Sequence, residues 1–451
     1  MIAEGRRRAY QALIRVERDG AYLSVALQEA LAGTAMDERD RALATEIAYG
    51  TLRRQITLDR LLSPLLRRPL SKLDPEVRVI LRMSAYQMSW LHRVPAYAAA
   101  NDAVELAKRH LPQAAPLVNA VLRRYAERAR EWQDVLNRDL ARASDVERWS
   151  VMHSVPTWIV ERLVADHGAD RALEALRSMN EPAAMSLRVN RLRASREEAI
   201  AMLSAEGVQA SPGALAQEGL RVQGQVDVTR LQAYRDGVVT IQDEGAMLVA
   251  PLLRPEPGMR VVDLCAAPGG KTTHLAELMG DRGEIDAYDV TVAKVRAVRQ
   301  QAERLRLQSI HPRLGDGRQV TPEGPYDAAL VDAPCTGLGV MRRRPDLRYR
   351  RRPEDVLQLA QLQRDLLRRA CAIVRSGGVV VYATCTLLKE ENESVVHAVA
   401  SDPSAGVRVE DVTSDLPAAL GAKMGERAGG FLLWPDWHET DGFFMARLRR
   451  L

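Results

Sequence analysis

The run Val261-Val262-Asp263-Leu264-Cys265-Ala266-Ala267-Pro268-Gly269-Gly270-Lys271-Thr272-Thr273 decides the fold class. A short β-rich apolar stretch breaks into small residues and two glycines, then resumes with helical spacing at Leu275, Leu278 and Met279. That is the outline of strand, tight turn and helix. Gly269 and Gly270 let the backbone approach a ligand closely or take positive φ, and the helix start offers free N–H groups to an anionic or polar group. The spacing of the glycines and Lys271 fits neither G-x-G-x-x-G nor G-x-x-x-x-G-K-[ST], so the loop by itself indicates only a ligand-binding turn of an α/β protein.

Three further segments add chemistry. The apolar run Glu284 to Tyr288 ends in Asp289, at about the ~20-residue separation where an acid on the neighbouring strand end binds the ribose hydroxyls of an adenosine cofactor. Ala328 to Val331 leads into Asp332-Ala333-Pro334-Cys335-Thr336-Gly337, and Val379 to Ala383 leads into Thr384-Cys385-Thr386. Two cysteines and an acid thus stand just beyond strand C-termini, where ligands bind in open α/β sheets.

Taken together, DLCAAPGGKT (263–272), DAPCTGLG (332–339) with the downstream RRRPDLRYRRRPED (342–355), and YATCT (382–386) with EENESV (390–395) resemble the RNA cytosine-5 methyltransferase family. That family uses S-adenosylmethionine. Asp441-Gly442-Phe443-Phe444 looks like its last strand motif, and ATEIAYGTLRR (44–54) and PLVNAVLRR (116–124) resemble the helical NusB-like domain. The resemblance covers the whole chain and implies a multidomain protein. Residues 1–138 would be an all-α NusB-like RNA-binding domain, 139–237 a small accessory α/β connector, and 238–451 a Rossmann-like methyltransferase domain whose last strand, Phe443 to Leu448, runs antiparallel.

The implied reaction explains why two thiols are needed. Cytosine C5 is a poor nucleophile, and a thiolate added to C6 converts C5 into an enamine-like carbon that can attack a sulfonium methyl. The C5 proton must then leave before the thiolate is expelled, which requires a nearby acceptor. From the residues alone Cys335 and Cys385 are equally plausible nucleophiles. The resemblance implies that Cys385 attacks C6 and that Cys335 assists proton removal and release, with Asp332 hydrogen-bonding the cytosine. It also implies that S-adenosylmethionine is held by the loop Cys265, Ala266, Ala267, Pro268, Gly269, Gly270 and Lys271, by Asp289 at the ribose, by Asp316 beside the adenine, and by Asp332. Where the family often has serine after these cysteines, this chain has Thr336 and Thr386, which keep the hydroxyl.

The expected partner is RNA, specifically small-subunit (16S) ribosomal RNA, free or in an early assembly intermediate, because of the NusB-like domain. Transfer RNA is the alternative substrate, and a non-enzymatic RNA-binding factor is the alternative class. The basic run Arg342, Arg343, Arg344, Arg348, Tyr349, Arg350 leaves the Cys335 loop and offers guanidinium groups and an aromatic ring for phosphates and stacking. Arg53, Arg54, Arg123 and Arg124 are candidate phosphate contacts in the helical part. Arg188 and Asn190, at a strand end, are either RNA contacts or simply satisfied polar groups. Cys371 sits among Leu367, Ala370 and Val374 and reads as core.

Composition sets the remaining bounds. A chain of 451 residues exceeds one ordinary core, and its net charge of +5 is modest. The arginines near Met1 are not followed by an apolar segment, and no apolar run would span a bilayer, so a cytoplasmic location away from membranes is expected; a monomer is the expected state, on no sequence signal of its own. Four cysteines without a C-x-x-C pair and eight scattered histidines indicate neither a metal site nor a disulfide framework.

Overall fold

The computed structural model describes residues 2–33, 36–224, 226–423 and 429–451. It divides into two compact units, Met1–Glu181 with Met341–Arg350, and Pro182–Val340 with Arg351–Leu451.

The first unit is helical. Its centre is the helix Pro75–Trp90, on which Val77, Ile80, Leu81, Met83 and Met88 are all buried. Pro75 takes the first helical position, where its missing N–H costs nothing, whereas the Asp74 side chain makes no capping bond. Glu4–Asp19, Glu38–Arg53, Gln55–Leu62, Ala96–His110 and Ala115–Ala126 supply the surrounding apolar faces. An ionic group centred on Arg82 lies inside the unit. Arg82 donates to Asp59 Oδ1 and Oδ2 at 2.7 and 2.8 Å and to Glu17 at 3.0 Å, which meets the need of a buried charge for both partners and geometry.

The boundaries differ from 1–138 and 139–237. Helix Asp145–His153 is fastened to helix Gln55–Leu62, with Thr57 Oγ1 donating to Val151 O at 2.6 Å and Ile56 N to Ser154 Oγ at 2.8 Å. The helical unit therefore runs on through Thr157–His167 and Ala169–Ser178. It also reclaims Met341–Arg350 from far downstream.

The second unit holds two sheets. The connector sheet is antiparallel, in the order β2-β3-β1-β4, from β1 Met185–Val189, β2 Ala210–Pro212, β3 Gly219–Val222 and β4 Val239–Ile241. β4 pairs with β1, so the connector extends past residue 237. Helix Arg196–Ala205, opened by a Ser195/Glu198 capping box, covers a core of Leu187, Val189, Leu203, Leu220 and Val239.

The larger sheet has the order β10-β12-β9-β8-β5-β6-β7, with β11 on β12. Its strands are β5 Arg260–Asp263, β6 Glu284–Asp289, β7 Ile310–Leu314, β8 Tyr326–Asp332, β9 Val374–Thr384, β10 Val407–Glu410, β11 Phe431–Leu433 and β12 Phe443–Arg450. β7, β6, β5, β8 and β9 are parallel, and β12 closes against β9 antiparallel. Continuous apolar strands suit a sheet covered on both faces; Ala328 to Val331 and Val379 to Ala383 are buried throughout. Asp332 pairs with Ala383, which brings the loops after β8 and β9 to the same edge.

Candidate active site

The loop between β5 and the helix Gly270–Leu278 is built on Asp263. Its buried carboxylate accepts from Cys265 N at 3.2 Å and Thr272 Oγ1 at 2.7 Å, closing the turn from both ends. Burial pushes this carboxyl up to about 7. Gly269 sits at φ 107° before the first helical turn, and a Cβ there would lie 3.3 Å from Val298 Cα; only glycine meets both conditions without strain. The expected glycine role is thus located at Gly269.

Cys265, Ala266, Ala267, Pro268, Gly270 and Lys271 lie along this loop and helix start. The Cys265 thiol is pushed well above its ordinary range by burial. Asp289, at the end of β6, turns a buried carboxylate toward the loop, accepting Ala267 N at 3.1 Å and Val290 N at 2.8 Å, with Lys294 Nζ 3.0 Å away. Asp316 follows β7 and is held by Arg318, whose Nη2 donates to Oδ2 at 2.6 Å; that bond keeps its carboxyl below the usual range. Gly317 brings this turn against the β5 loop, since a Cβ there would stand 2.7 Å from Leu264 O.

Val290, Val292 and Leu314 are exposed apolar side chains flanking Asp289 and Asp316. Leu314 is the register partner of Asp289. An acid, a close backbone turn and apolar side chains at adjacent strand ends fit an adenosine. The sequence carries the acid visibly but not the apolar lining, because a valine after a strand reads as ordinary sheet.

At the other side of β5, Lys271 Nζ donates to Asp332 Oδ2 at 2.6 Å and lies 4.8 Å from the Phe443 ring centroid. The two thiols come together beyond Asp332, with Cys335 Sγ 3.3 Å from Cys385 Sγ. Both are free thiols, Cys335 buried and Cys385 partly exposed. The hydrogen bond with Cys385, then burial, hold the Cys335 thiol well above its ordinary range. Either sulfur can donate in this contact, and Cys385 is the more accessible of the two. Arg351 donates to Cys335 O at 3.0 Å and Thr336 O at 2.9 Å. Beneath the thiols, Thr336 and Thr386 meet at 2.9 Å between hydroxyls and lead to the buried Glu391. Arg351 and Glu391 have no assignable role in the sequence; EENESV is a signal of family only.

The basic run does not form one exposed face. Arg348 is fully buried in the helical unit, donating to the carbonyls of Arg53, His153, Ser154 and Met179 and to Asn180 Oδ1. Tyr349 packs on the helical core and its hydroxyl reaches Ser154 O at 3.2 Å. Arg342 is buried, and its carbonyl accepts from Arg53 Nη2 at 3.1 Å. Arg350 donates to Gly20 O at 2.7 Å and to Ala21 O and lies over the Tyr22 ring. Only Arg344 of the six is exposed, with Arg343 half-buried. The expectation of RNA contact fails for Arg348 because it is fully buried and its terminal nitrogens donate to internal carbonyls. Arg123 and Arg124 are exposed.

Arg188 is likewise internal. Fully buried on β1, it donates to Glu277 at 2.8 and 3.1 Å, to Thr273 Oγ1 at 2.9 Å and to Gly270 O at 2.6 Å, fixing the connector to the helix after the β5 loop. Asn190 is buried and its Oδ1 accepts Leu192 N at 3.0 Å, while its Nδ2 has no partner among the described residues, so the satisfied-polar alternative holds for Arg188 and only in part for Asn190. Cys371 is buried in the helix Pro353–Ile373, its thiol pushed up to about 12 by burial. Among the described residues no cluster of His, Cys, Asp and Glu could hold a metal ion, and no helix is long and apolar enough to cross a membrane.

Comparison with known proteins finds three family models along the chain, the middle one starting at residue 155, within the stretch that packs with the helical unit. Residues 250–449 match the family model "16S rRNA methyltransferase RsmB/F", 3–127 the NusB family, and 155–229 the RsmF/B-like ferredoxin-like domain. A probable ribosomal RNA small subunit methyltransferase B of Bacillus subtilis is 35% identical over 98% of both chains. The crystal structure of PH0851 superposes with a TM-score of 0.83 at 28% identity, over 98% of each chain. A methyltransferase homolog protein from Pyrococcus horikoshii matches at 28% identity with a TM-score of 0.59, covering 68% of this chain and all of its own. Full-length identity at this level, on a NusB domain followed by a methyltransferase sheet, establishes that the chain belongs to the RsmB/F family of 16S rRNA methyltransferases and is an RNA methyltransferase.

Proposed function

We propose that the protein methylates C5 of a cytosine in 16S ribosomal RNA, with S-adenosylmethionine as methyl donor and Cys385 as covalent nucleophile. The observation that carries this reading is the 3.3 Å pair of thiols at the ends of two adjacent parallel strands, next to Asp332 and Lys271. When bound, S-adenosylmethionine supplies a methyl group activated by a positively charged sulfur. Asp289, Asp316, the loop 265–271 and the apolar Val290 and Leu314 are the residues that fit it.

Cys385 is the better nucleophile because it is the more exposed thiol, with the Cys335 thiol close enough to donate to it once it ionises. Its sulfur adds to C6, and C5 becomes the carbon that takes the methyl group. Asp332 supplies an oxygen at the base, and Lys271 limits the charge there. Once the Cys385 sulfur is a thioether, the neighbouring negative charge that kept Cys335 protonated is gone. Cys335 then releases its own proton to solvent more easily, its thiolate takes the C5 proton, and the Cys385–C6 bond breaks to restore the ring and return Cys385 as a thiolate. The target cytosine must be unpaired or flipped, since C6 is not reachable in a stacked duplex.

The test is a denaturing gel of wild type, Cys335→Ala and Cys385→Ala incubated with unmodified 16S RNA and S-adenosylmethionine. Cys335→Ala should accumulate a slow-migrating covalent protein–RNA band, and Cys385→Ala should show neither band nor methyl transfer. A band in Cys385→Ala instead would exchange the two roles. Methyl transfer by Cys385→Ala without any adduct would end the covalent reading.

A further inference from the structure

We propose that Glu391 is the positioning residue of the two-thiol centre, the common anchor from which both cysteine loops are hung. The inference rests on the covalent reading above and concerns a residue that touches neither sulfur nor substrate. Glu391 ends the turn Lys389–Glu391 after β9 and is fully buried. Its Oε1 accepts Thr336 N at 2.8 Å and Gln363 Nε2 at 3.0 Å, and its Oε2 accepts Thr336 Oγ1. Gln363 Nε2 also donates to Pro334 O at 2.9 Å. The residues before and after Cys335 are therefore both referred to one carboxylate.

The Cys385 loop reaches the same anchor. With the Thr336 hydroxyl hydrogen spent on Glu391, the Thr386 hydroxyl, 2.9 Å away, is the donor to Thr336 Oγ1. Asn392 adds a second tie, its Nδ2 donating to Thr386 O at 3.0 Å while its Oδ1 accepts the Thr384 hydroxyl. Tyr382 OH donates to Glu391 O at 2.6 Å and pins the turn to β9. Every partner of the Glu391 carboxylate named here is a donor, so the carboxylate satisfies each without requiring a proton of its own. Burial still holds its carboxyl above the usual range, and the three donors offset that cost.

The geometric consequence concerns the sulfurs. Cys335 and Cys385 lie on loops that leave different strands, and the 3.3 Å between their sulfurs is not set by the sheet register alone. Removing the anchor should let the Cys335 loop drift, and a displacement of about 1 Å at reacting groups costs on the order of 10²-fold in rate. Glutamine keeps the acceptor for Thr336 N and can donate to Thr336 Oγ1, whose own hydrogen then turns to Thr386. Alanine keeps nothing.

The test measures the thiol spacing apart from catalysis. Wild type, Glu391→Gln, Glu391→Ala and Thr336→Val are treated with diamide, whose N=N bond takes up the two hydrogens as the two thiols become a disulfide. The rate of Cys335–Cys385 crosslinking is followed by mass spectrometry. Glu391→Ala should crosslink at least about tenfold more slowly than wild type, since disulfide closure demands a narrow geometry. Its kcat should fall on the order of 10²-fold with KM for RNA within a few-fold, and Glu391→Gln should recover most of both. If Glu391→Ala does not fold, as judged by circular dichroism, Thr336→Val carries the test and should lose crosslinking rate in the same direction. Equal crosslinking rates in the variants and wild type, whether fast or negligible, would overturn the proposal. Full activity of Cys385→Ala would defeat the covalent reading while leaving the crosslinking comparison to decide the anchor separately.

Discussion

Arg188 and Glu277 form a buried bidentate ion pair between the connector sheet and the helix that follows the β5 loop, with distances of 2.8 and 3.1 Å. Removing one partner strands the other charge in the interior, at a cost of about 3–5 kcal/mol. Arg188→Ala should therefore lower the denaturation midpoint markedly. It should also weaken S-adenosylmethionine binding, because Gly270 O and Thr273 lose their donor. The double variant Arg188→Met with Glu277→Leu should regain much of the stability in urea melts but not the affinity. A single variant as stable as wild type would sink this reading of the pair.

Gly269 offers a sharper local test. A side chain there meets both positive φ and the Val298 backbone, and the left-handed conformation alone costs an L-residue about 1–2 kcal/mol. Gly269→Ala should reduce S-adenosylmethionine affinity by about tenfold or more, since ~1.4 kcal/mol is one decade. Titration calorimetry reads this directly, and unchanged affinity would mean that the loop does not hold the cofactor.

Asp263 makes the loop sensitive to pH. Its carboxyl is at about 7 in the folded protein against an ordinary value of 3.8, because burial disfavours the charged form. The stability it contributes is complete below about 4 and is lost as pH rises through about 7. Melting temperature should fall less over that interval in Asp263→Asn than in wild type. Parallel pH profiles for the two proteins would count against a buried, proton-retaining carboxyl.

The two classes of arginine should separate by salt dependence. Arg348→Met removes an internal donor set, so it should lower the melting temperature and leave the salt slope of RNA binding unchanged. Arg123→Ala with Arg124→Ala should do the reverse, reducing the slope of log affinity against log salt by about 0.7–0.9 for each phosphate that the variant no longer neutralises. Filter binding from low to moderate salt distinguishes them. A slope that changes with Arg348 instead would place that residue on the RNA.

Much of the site is legible in the sequence because its signals are local. The β5 loop, Asp289 and the two cysteines each follow an apolar strand directly, so strand ends and ligand edge can be read from short windows. β12 is visible for the same reason, as a closing apolar run, whereas its antiparallel direction follows only from the family resemblance. Two things are not local. A run such as 342–352 is written alike whether its guanidinium groups face water or buried carbonyls, and only the tertiary partners at Arg53, His153, Ser154 and Met179 decide. A connector boundary at 237 likewise falls short of the observed one, because β4 is brief and declares itself through pairing with β1. The roles of Glu391 and Arg351 escape for a related reason. Each acts on a loop that is distant in sequence, and the residue type alone names no partner.

The excursion of Met341–Arg350 into the helical unit carries a consequence for biogenesis. As the chain leaves the ribosome, residues 1–181 emerge early yet lack the guanidinium that donates to four of their carbonyls, one of which, His153 O, also accepts from Asn180. At roughly 5–20 residues per second of synthesis, on the order of ten seconds or more pass before Arg348 is made. During that interval the helical unit is an unfinished fold, completed only after the strands carrying Asp289 and Asp332 have been translated. The helical unit is thus completed only midway through synthesis of the methyltransferase sheet, before β9 to β12 are made.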